Sequence, residues 1–67
     1  MSIIYNNVLT PLPEKSMTIA DLALWKKIPQ QGTAIAVNDK LIKRDKWQVV
    51  FLNEGDRVTV ITAAYGG

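Results

Sequence analysis

The chain has 67 residues, of which 48% are hydrophobic and 21% charged, and its formal net charge is +2. This composition indicates one small globular domain, and no apolar run is long enough to span a membrane. Cysteine and histidine are both absent, which excludes disulfides and thiolate nucleophiles, removes the commonest general base and metal ligand, and argues against a self-contained enzyme.

The chain is predicted to open with a β-hairpin. Apolar residues 3–5 and 8–9 flank an Asn-Asn pair at positions 6–7, and asparagine tolerates the positive φ angles of a tight two-residue turn. Pro11 and Pro13 cannot donate hydrogen bonds to a neighbouring strand. We therefore expect the second strand to end there and to lie at the edge of a sheet.

One amphipathic helix of about three turns is predicted next. Thr18 can cap its N-terminus, and Asp21 lies in the first turn, where the helix dipole favours a negative charge. Lys26 and Lys27 suit the last turn, and Pro29 stops the helix. Its apolar face is expected to comprise Ile19, Leu22 and Ala23, extended by Trp25 and Ile28.

Two further strands are predicted in the middle of the chain. Residues 33–37 alternate large and small apolar side chains, which is typical of a strand with one face in the core. A turn at 38–40 leads to a short strand at 41–42. Asp45 is then expected to cap a single helical turn that returns Trp47 to the core, and Trp25 is expected to be a core residue as well.

The last strand is predicted at residues 57–62, with Val58 and Val60 facing inward. It follows a turn in which Gly55 needs a positive φ angle and Asp56 supplies turn chemistry. The element order predicts an α+β fold, in which a mixed sheet of four to five strands carries one main helix across one face. Residues 1–63 are expected to form this single domain, with the last strand beside the first, and residues 64–67 a flexible tail.

The sequence given ends in two glycines, Gly66 and Gly67. Glycine lacks Cβ, so such an end can enter a narrow channel and present its carboxylate to a distant active site. A frayed terminus or a cloning remnant is the alternative interpretation. The first residues lack the charged region and long apolar core of a signal peptide, so we expect a cytoplasmic protein.

Several short motifs resemble the ThiS family of sulfur carrier proteins of thiamine biosynthesis, and their order and spacing cover the whole length. The motifs are Ala36-Val37-Asn38, Arg44 with Trp47 three positions later, Gly55-Asp56 followed by Val58 and Val60, and Gly66-Gly67. The resemblance implies the β-grasp, or ubiquitin-like, fold, in agreement with the element order.

The resemblance also implies a function in which the chain is a co-substrate and binds no cofactor or metal itself. An E1-like adenylyltransferase would use MgATP to convert the carboxylate of Gly67 into an acyl-adenylate. Sulfur drawn from cysteine through a cysteine desulfurase would then give a thiocarboxylate, and thiazole synthase would consume that sulfur. A free α-carboxylate is ionised at neutral pH and is a poor electrophile, so adenylation supplies the leaving group it lacks.

The predicted site combines Gly67 with a partner-binding surface. Ala34, Ala36, Thr59 and Ile61 are expected on the sheet face away from the helix, and an exposed apolar face of this kind often marks a protein-binding site. Arg44, Lys40, Lys43 and Lys46 form either a basic patch for an acidic partner or a solvated turn. The residues predicted to bind partners are Gly66, Tyr65, Ala64, Ile61, Thr59, Ala36 and Arg44.

Other functions stay open at this point. The small subunit of molybdopterin synthase is similar in fold and in its Gly-Gly end, so the sulfur could serve molybdopterin synthesis. A ubiquitin-like interaction module could instead bind partners through its sheet face and never react at its end. A small basic nucleic-acid-binding domain is a third interpretation, but the mild charge does not favour it, and we expect neither nucleic acid nor membrane as partner.

Overall fold

The computed structural model describes residues 1–29 and 31–62. Within them the chain forms five strands, one α-helix and one 3-10 helix. Their bounds are β1 Ser2–Tyr5, β2 Val8–Pro11, α1 Ile19–Trp25, β3 Thr33–Val37, β4 Lys40–Ile42, the 3-10 helix Arg44–Lys46 and β5 Arg57–Thr62. The sheet order is β2-β1-β5-β3-β4, with β1 and β5 parallel and the other neighbours antiparallel. This mixed sheet with one α-helix is the predicted α+β architecture.

The N-terminal hairpin is as predicted. Asn6 and Asn7 have φ angles of 47° and 70°, which lie in the left-handed region that asparagine tolerates better than most residues. Tyr5 pairs with Val8 across the turn. Strand β2 lies at the edge of the sheet, as predicted, and its last residue is Pro11. Proline has no N–H to offer a further strand, so it fits this edge position.

The N-terminus of α1 carries the predicted cap in a reciprocal form. The Thr18 hydroxyl accepts a hydrogen bond from the Asp21 backbone N–H at 3.1 Å, and the Asp21 carboxylate accepts one from the Thr18 backbone N–H at 3.0 Å. This capping box satisfies two N–H groups that the first helical turn leaves without partners.

The predicted length of the helix is wrong, because α1 ends at Trp25 after about two turns. Lys27 takes a left-handed conformation with φ 56°, and its N–H donates to the Leu24 carbonyl at 3.2 Å. The Ile28 N–H donates to the Ala23 carbonyl at 2.8 Å, which completes a Schellman motif. The two lysines therefore lie after the helix, and Pro29 does not mark its end because the last helical residue is Trp25.

The core lies between α1 and one face of the sheet. Five large side chains have less than 2% of their surface exposed: Ile3, Ile19, Leu22, Ile35 and Val58. Trp47 is also buried, and its indole N–H donates to the Ile42 carbonyl at 3.1 Å. Trp25 is 41% exposed, so its predicted place in the core is wrong. The inward stripe of α1 is already formed by Ile19, Leu22 and Ala23, and Trp25 lies at the margin of that stripe.

The turn after β4 returns Trp47 to the core, but Asp45 does not cap it. The 3-10 helix begins at Arg44, Lys43 occupies the capping position, and no side chain makes a capping hydrogen bond there. The turn is closed by the backbone instead, since the Lys46 N–H donates to the Lys43 carbonyl at 2.9 Å. Asp45 therefore lies inside the turn, where it cannot serve as its N-cap.

The start of β5 is fixed by the predicted turn. Gly55 has a φ angle of 81°, and the buried Asp56 carboxylate accepts hydrogen bonds from the Asn53 N–H at 2.8 Å and the Asn38 side chain at 3.1 Å. Asn38 in turn accepts from the Arg57 N–H at 2.9 Å. This network joins the β3–β4 turn to the first residue of β5. In the part of the chain described here, no helix has the length and apolar character needed to cross a membrane.

Candidate functional site

Strand β5 leads directly into the predicted reactive tail. It pairs with β3 from Val37↔Val58 to Thr33↔Thr62, but with β1 only at its first two residues, Arg57 and Val58. Its C-terminal end therefore extends beyond β1 on one side. The predicted site residues Ala64, Tyr65, Gly66 and Gly67, and the predicted domain boundary at residue 63, lie outside the described residues and stay predictions.

The sheet face opposite α1 carries the residues that the sequence placed there. Ala36 pairs with Thr59 and Ala34 pairs with Ile61, while their neighbours Ile35 and Val58 point into the core. Side chains alternate between the two faces of a strand, so all four outward residues share the solvent side. Ile61, with 62% of its surface exposed, is the largest of them.

Leu41 extends this face and was missed by sequence reasoning. It pairs with Ala36 on the side opposite the inward Ile42, and 70% of its surface is exposed. The alternation from Lys40 to Ile42 is the signal that could have found it, but three residues are a weak pattern. We use the term outer sheet face for the part of this surface formed by β3, β4 and β5, and its apolar or small residues are Ala34, Ala36, Leu41, Thr59 and Ile61.

The structure does not bring Arg44 together with the outer sheet face. Arg44 lines a shallow depression with Ala20 of α1, Asp45, Trp47 and Gln48, which places it beside the helix layer. The three lysines predicted to accompany it, Lys40, Lys43 and Lys46, are exposed. The basic segment and the apolar face are therefore separate surfaces, and the predicted binding role of Arg44 stays a prediction.

The charged side chains of the described residues form few clusters. Among residues 1–29 and 31–62, no three or more carboxylates lie close enough together to hold a metal ion. The one ion pair found in this part of the chain joins Arg57 to Asp39 at 2.9 Å, with both side chains well exposed. What the arrangement provides is a five-stranded sheet, an exposed apolar face and a central strand, β5, that precedes residues 63–67 in the sequence.

Comparison with known proteins decides the family. A family model for the ThiS family matches residues 3–67, which is nearly the whole chain. This chain belongs to the ThiS family. The family comprises small sulfur carriers of thiamine biosynthesis, which confirms the function predicted from sequence at that level. A search of curated protein sequences finds no significant match.

Solved structures show the same fold. The crystal structure of the thiamine biosynthesis protein ThiS from Geobacter metallireducens has a TM-score of 0.86 at 19% identity, with 100% of both chains covered. An NMR solution structure of a thiamine biosynthesis protein from the same organism has a TM-score of 0.83 at 20% identity and covers 100% of this chain and 88% of that chain. The predicted β-grasp fold is confirmed.

Proposed function

We propose that this ThiS-family chain carries sulfur on the α-carboxylate of Gly67. In the first step a carboxylate oxygen attacks the α-phosphorus of ATP in an E1-like adenylyltransferase, which supplies the MgATP site. The new O–P bond forms as the bond to pyrophosphate breaks, and the product is an acyl-adenylate. The acyl carbon, a poor electrophile in the free carboxylate, now bears AMP as a leaving group.

In the second step a sulfur nucleophile at the level of hydrosulfide attacks the acyl carbon. A C–S bond forms, the C–O bond to AMP breaks, and a thiocarboxylate remains on Gly67. A cysteine desulfurase supplies this sulfur; where it arrives as a persulfide, a thiol reductant cleaves the S–S bond. Thiazole synthase then takes the sulfur from the carrier. We place these reactions in the cytoplasm.

The observation that carries the proposal is the family match through residue 67, the last residue of two consecutive glycines. Two further features support it. The chain has no cysteine, so no internal thiol competes for the sulfur. Strand β5 lies in the middle of the sheet and is the last element before the glycines in the sequence, and the outer sheet face beside it offers an apolar surface for docking.

The test is an intact-mass measurement on the purified chain. The protein is incubated with the adenylyltransferase of the same organism, MgATP and sodium sulfide, and the expected mass change is the replacement of one oxygen by sulfur. Omission of ATP and deletion of residues 66–67 are the controls, and both should abolish the change. An unchanged mass with an enzyme that is active on another carrier would refute the proposal. The measurement also identifies the last residue of the mature chain.

The exposed outer sheet face favours one alternative, an interaction module that never reacts at its end. Ile61 and Leu41 present most of their surface to solvent, as residues of a protein-binding face do. Deletion of residues 66–67 separates the two functions when the growth of cells that depend on this chain is measured in medium without thiamine. A module retains its activity without the glycines, whereas a carrier loses all of it.

A further inference from the structure

Strand β5 loses its neighbour β1 partway along its length. The two strands pair at Ile4↔Arg57 and Tyr5↔Val58, and then Asn6, with φ 47°, turns the chain into the hairpin. The backbone N–H of Asn6 still donates to the Val58 carbonyl at 2.9 Å. From Thr59 to Thr62, β5 therefore continues without a strand on that side.

The side chain of Asn6 takes the place of the missing strand at the next position. Its Oδ1 accepts a hydrogen bond from the Val60 N–H at 2.8 Å, and its Nδ2 donates to the Val60 carbonyl at 3.4 Å. A carboxamide offers the same donor and acceptor as a peptide group, so one side chain can continue the ladder of backbone hydrogen bonds by one residue.

The direction of the backbone groups makes this contact important for the end of β5. In an antiparallel pair, successive residues direct their N–H and C=O groups alternately to the two sides of the strand. The backbone groups of Arg57 bond to Asn38 on the β3 side. The backbone N–H and C=O groups of Val58 and Val60 therefore point to the β1 side. Among the described residues, Asn6 is therefore the partner of both backbone groups of Val60.

We propose that Asn6 is a positioning residue for the reaction at Gly67. The pairing with β3 holds one edge of β5 as far as Thr62, and Asn6 adds a contact on the other edge at Val60. The second contact limits the movement of the strand from which the chain continues to Gly67. The proposal rests on the proposed function of Gly67. Because Asn6 acts before the tail reaches the reacting atoms, its loss is expected to raise KM for the carrier and to leave kcat unchanged.

The size of the effect follows from the hydrogen bonds. Asn6 is exposed, and the 2.8 Å bond is the stronger of its two side-chain contacts with Val60. The net contribution of such a bond corresponds to about a two- to twelvefold change in a local opening equilibrium. We expect the Val60 amide to exchange with solvent faster by about that factor when the side chain is removed. KM is expected to rise by at most the same factor, because KM depends on the fraction of molecules in which Val60 is held.

A matched pair of variants isolates the carboxamide. Asn6→Gly and Asn7→Gly each remove an asparagine side chain at a residue with positive φ, where glycine fits without strain. Only the Asn6 side chain bonds to Val60. Hydrogen exchange is measured by NMR at Val60 and, as an internal reference for global unfolding, at Ile35. Faster exchange at Val60 in Asn6→Gly alone is the expected result.

Equal exchange at Val60 in the two variants, after correction by Ile35, would overturn the inference, since Asn6 would then be a turn residue only. The kinetic arm measures pyrophosphate release by the adenylyltransferase at increasing carrier concentration. A raised KM with unchanged kcat for Asn6→Gly supports positioning, and an unchanged KM refutes it. If the wild-type chain is not adenylated at all, the proposed function fails, whereas the exchange data still decide whether Asn6 holds Val60.

Discussion

Ile61 is the residue through which docking on the outer sheet face is best tested. Its side chain is 62% exposed and lies near the end of β5, close to the start of the tail. Full burial of an isoleucine side chain is worth about 1.5 to 3 kcal/mol, so covering the exposed part in a complex is worth about 1 to 2 kcal/mol. Ile61→Ala should therefore raise KM for the carrier by about 5- to 25-fold.

Val8 provides a matched control. It is also 62% exposed and apolar, but it pairs with Tyr5, whose side chain packs against the core, and so it lies on the helix side of the sheet edge. Val8→Ala removes a similar exposed surface from a different part of the molecule. We expect KM within about twofold of the wild-type value, since nothing docks there in the proposed complex.

The assay is the initial rate of pyrophosphate release by the adenylyltransferase as a function of carrier concentration. Thermal unfolding followed by circular dichroism shows that both variants remain folded, because neither side chain is part of the buried core. Equal KM values for Ile61→Ala and Val8→Ala would refute docking through the outer sheet face. A fall in kcat alone would also refute it, because a docking contact acts on binding.

Three further predictions concern hydrogen bonds that stabilise the fold, and urea unfolding measures all of them. Asp56→Asn should lower the free energy of unfolding by about 1 to 3 kcal/mol, because a buried charged acceptor with two partners is lost. Asp39→Asn should lower it by less than about 0.5 kcal/mol, since its ion pair is exposed, and equal losses in the two variants would contradict this reasoning. Thr18→Ala should cost about 1 kcal/mol through loss of the capping box, and a stability equal to wild type would show that the cap contributes nothing. Trp47→Phe should cost about 1 kcal/mol for the lost indole hydrogen bond, and an unchanged midpoint would contradict that assignment.

Most of the secondary structure was predictable because its signals are local. The Asn-Asn pair, the cap at Thr18 and the turn at Gly55 each depend on the conformational preference of one or two residues, and all three are confirmed. The alternation of inward and outward residues in β3 and β5 also predicted the outer sheet face, because the period of a strand is strict.

The errors arose where packing competes with local preference. Lysines 26 and 27 and Pro29 predicted a longer helix, but the left-handed Lys27 ends α1 earlier and brings the half-buried Ile28 against the core. Trp25 has a large apolar side chain of the kind usually found in a core, yet the space between the helix and the sheet is already filled by its smaller neighbours. Neither outcome is visible without knowing how much room the sheet leaves for the helix.

The amino-acid sequence by itself determined the order of the elements, the edge position of β2, the face that β5 presents to solvent and the Gly-Gly end, because each follows from the chemistry of adjacent residues. Only the tertiary structure decided which distant residues meet. It separates Arg44 from the outer sheet face, and it places the carboxamide of Asn6 against Val60 across 54 positions of sequence. The Asn6 contact depends on how strands from the two ends of the chain lie beside each other, which no local pattern specifies.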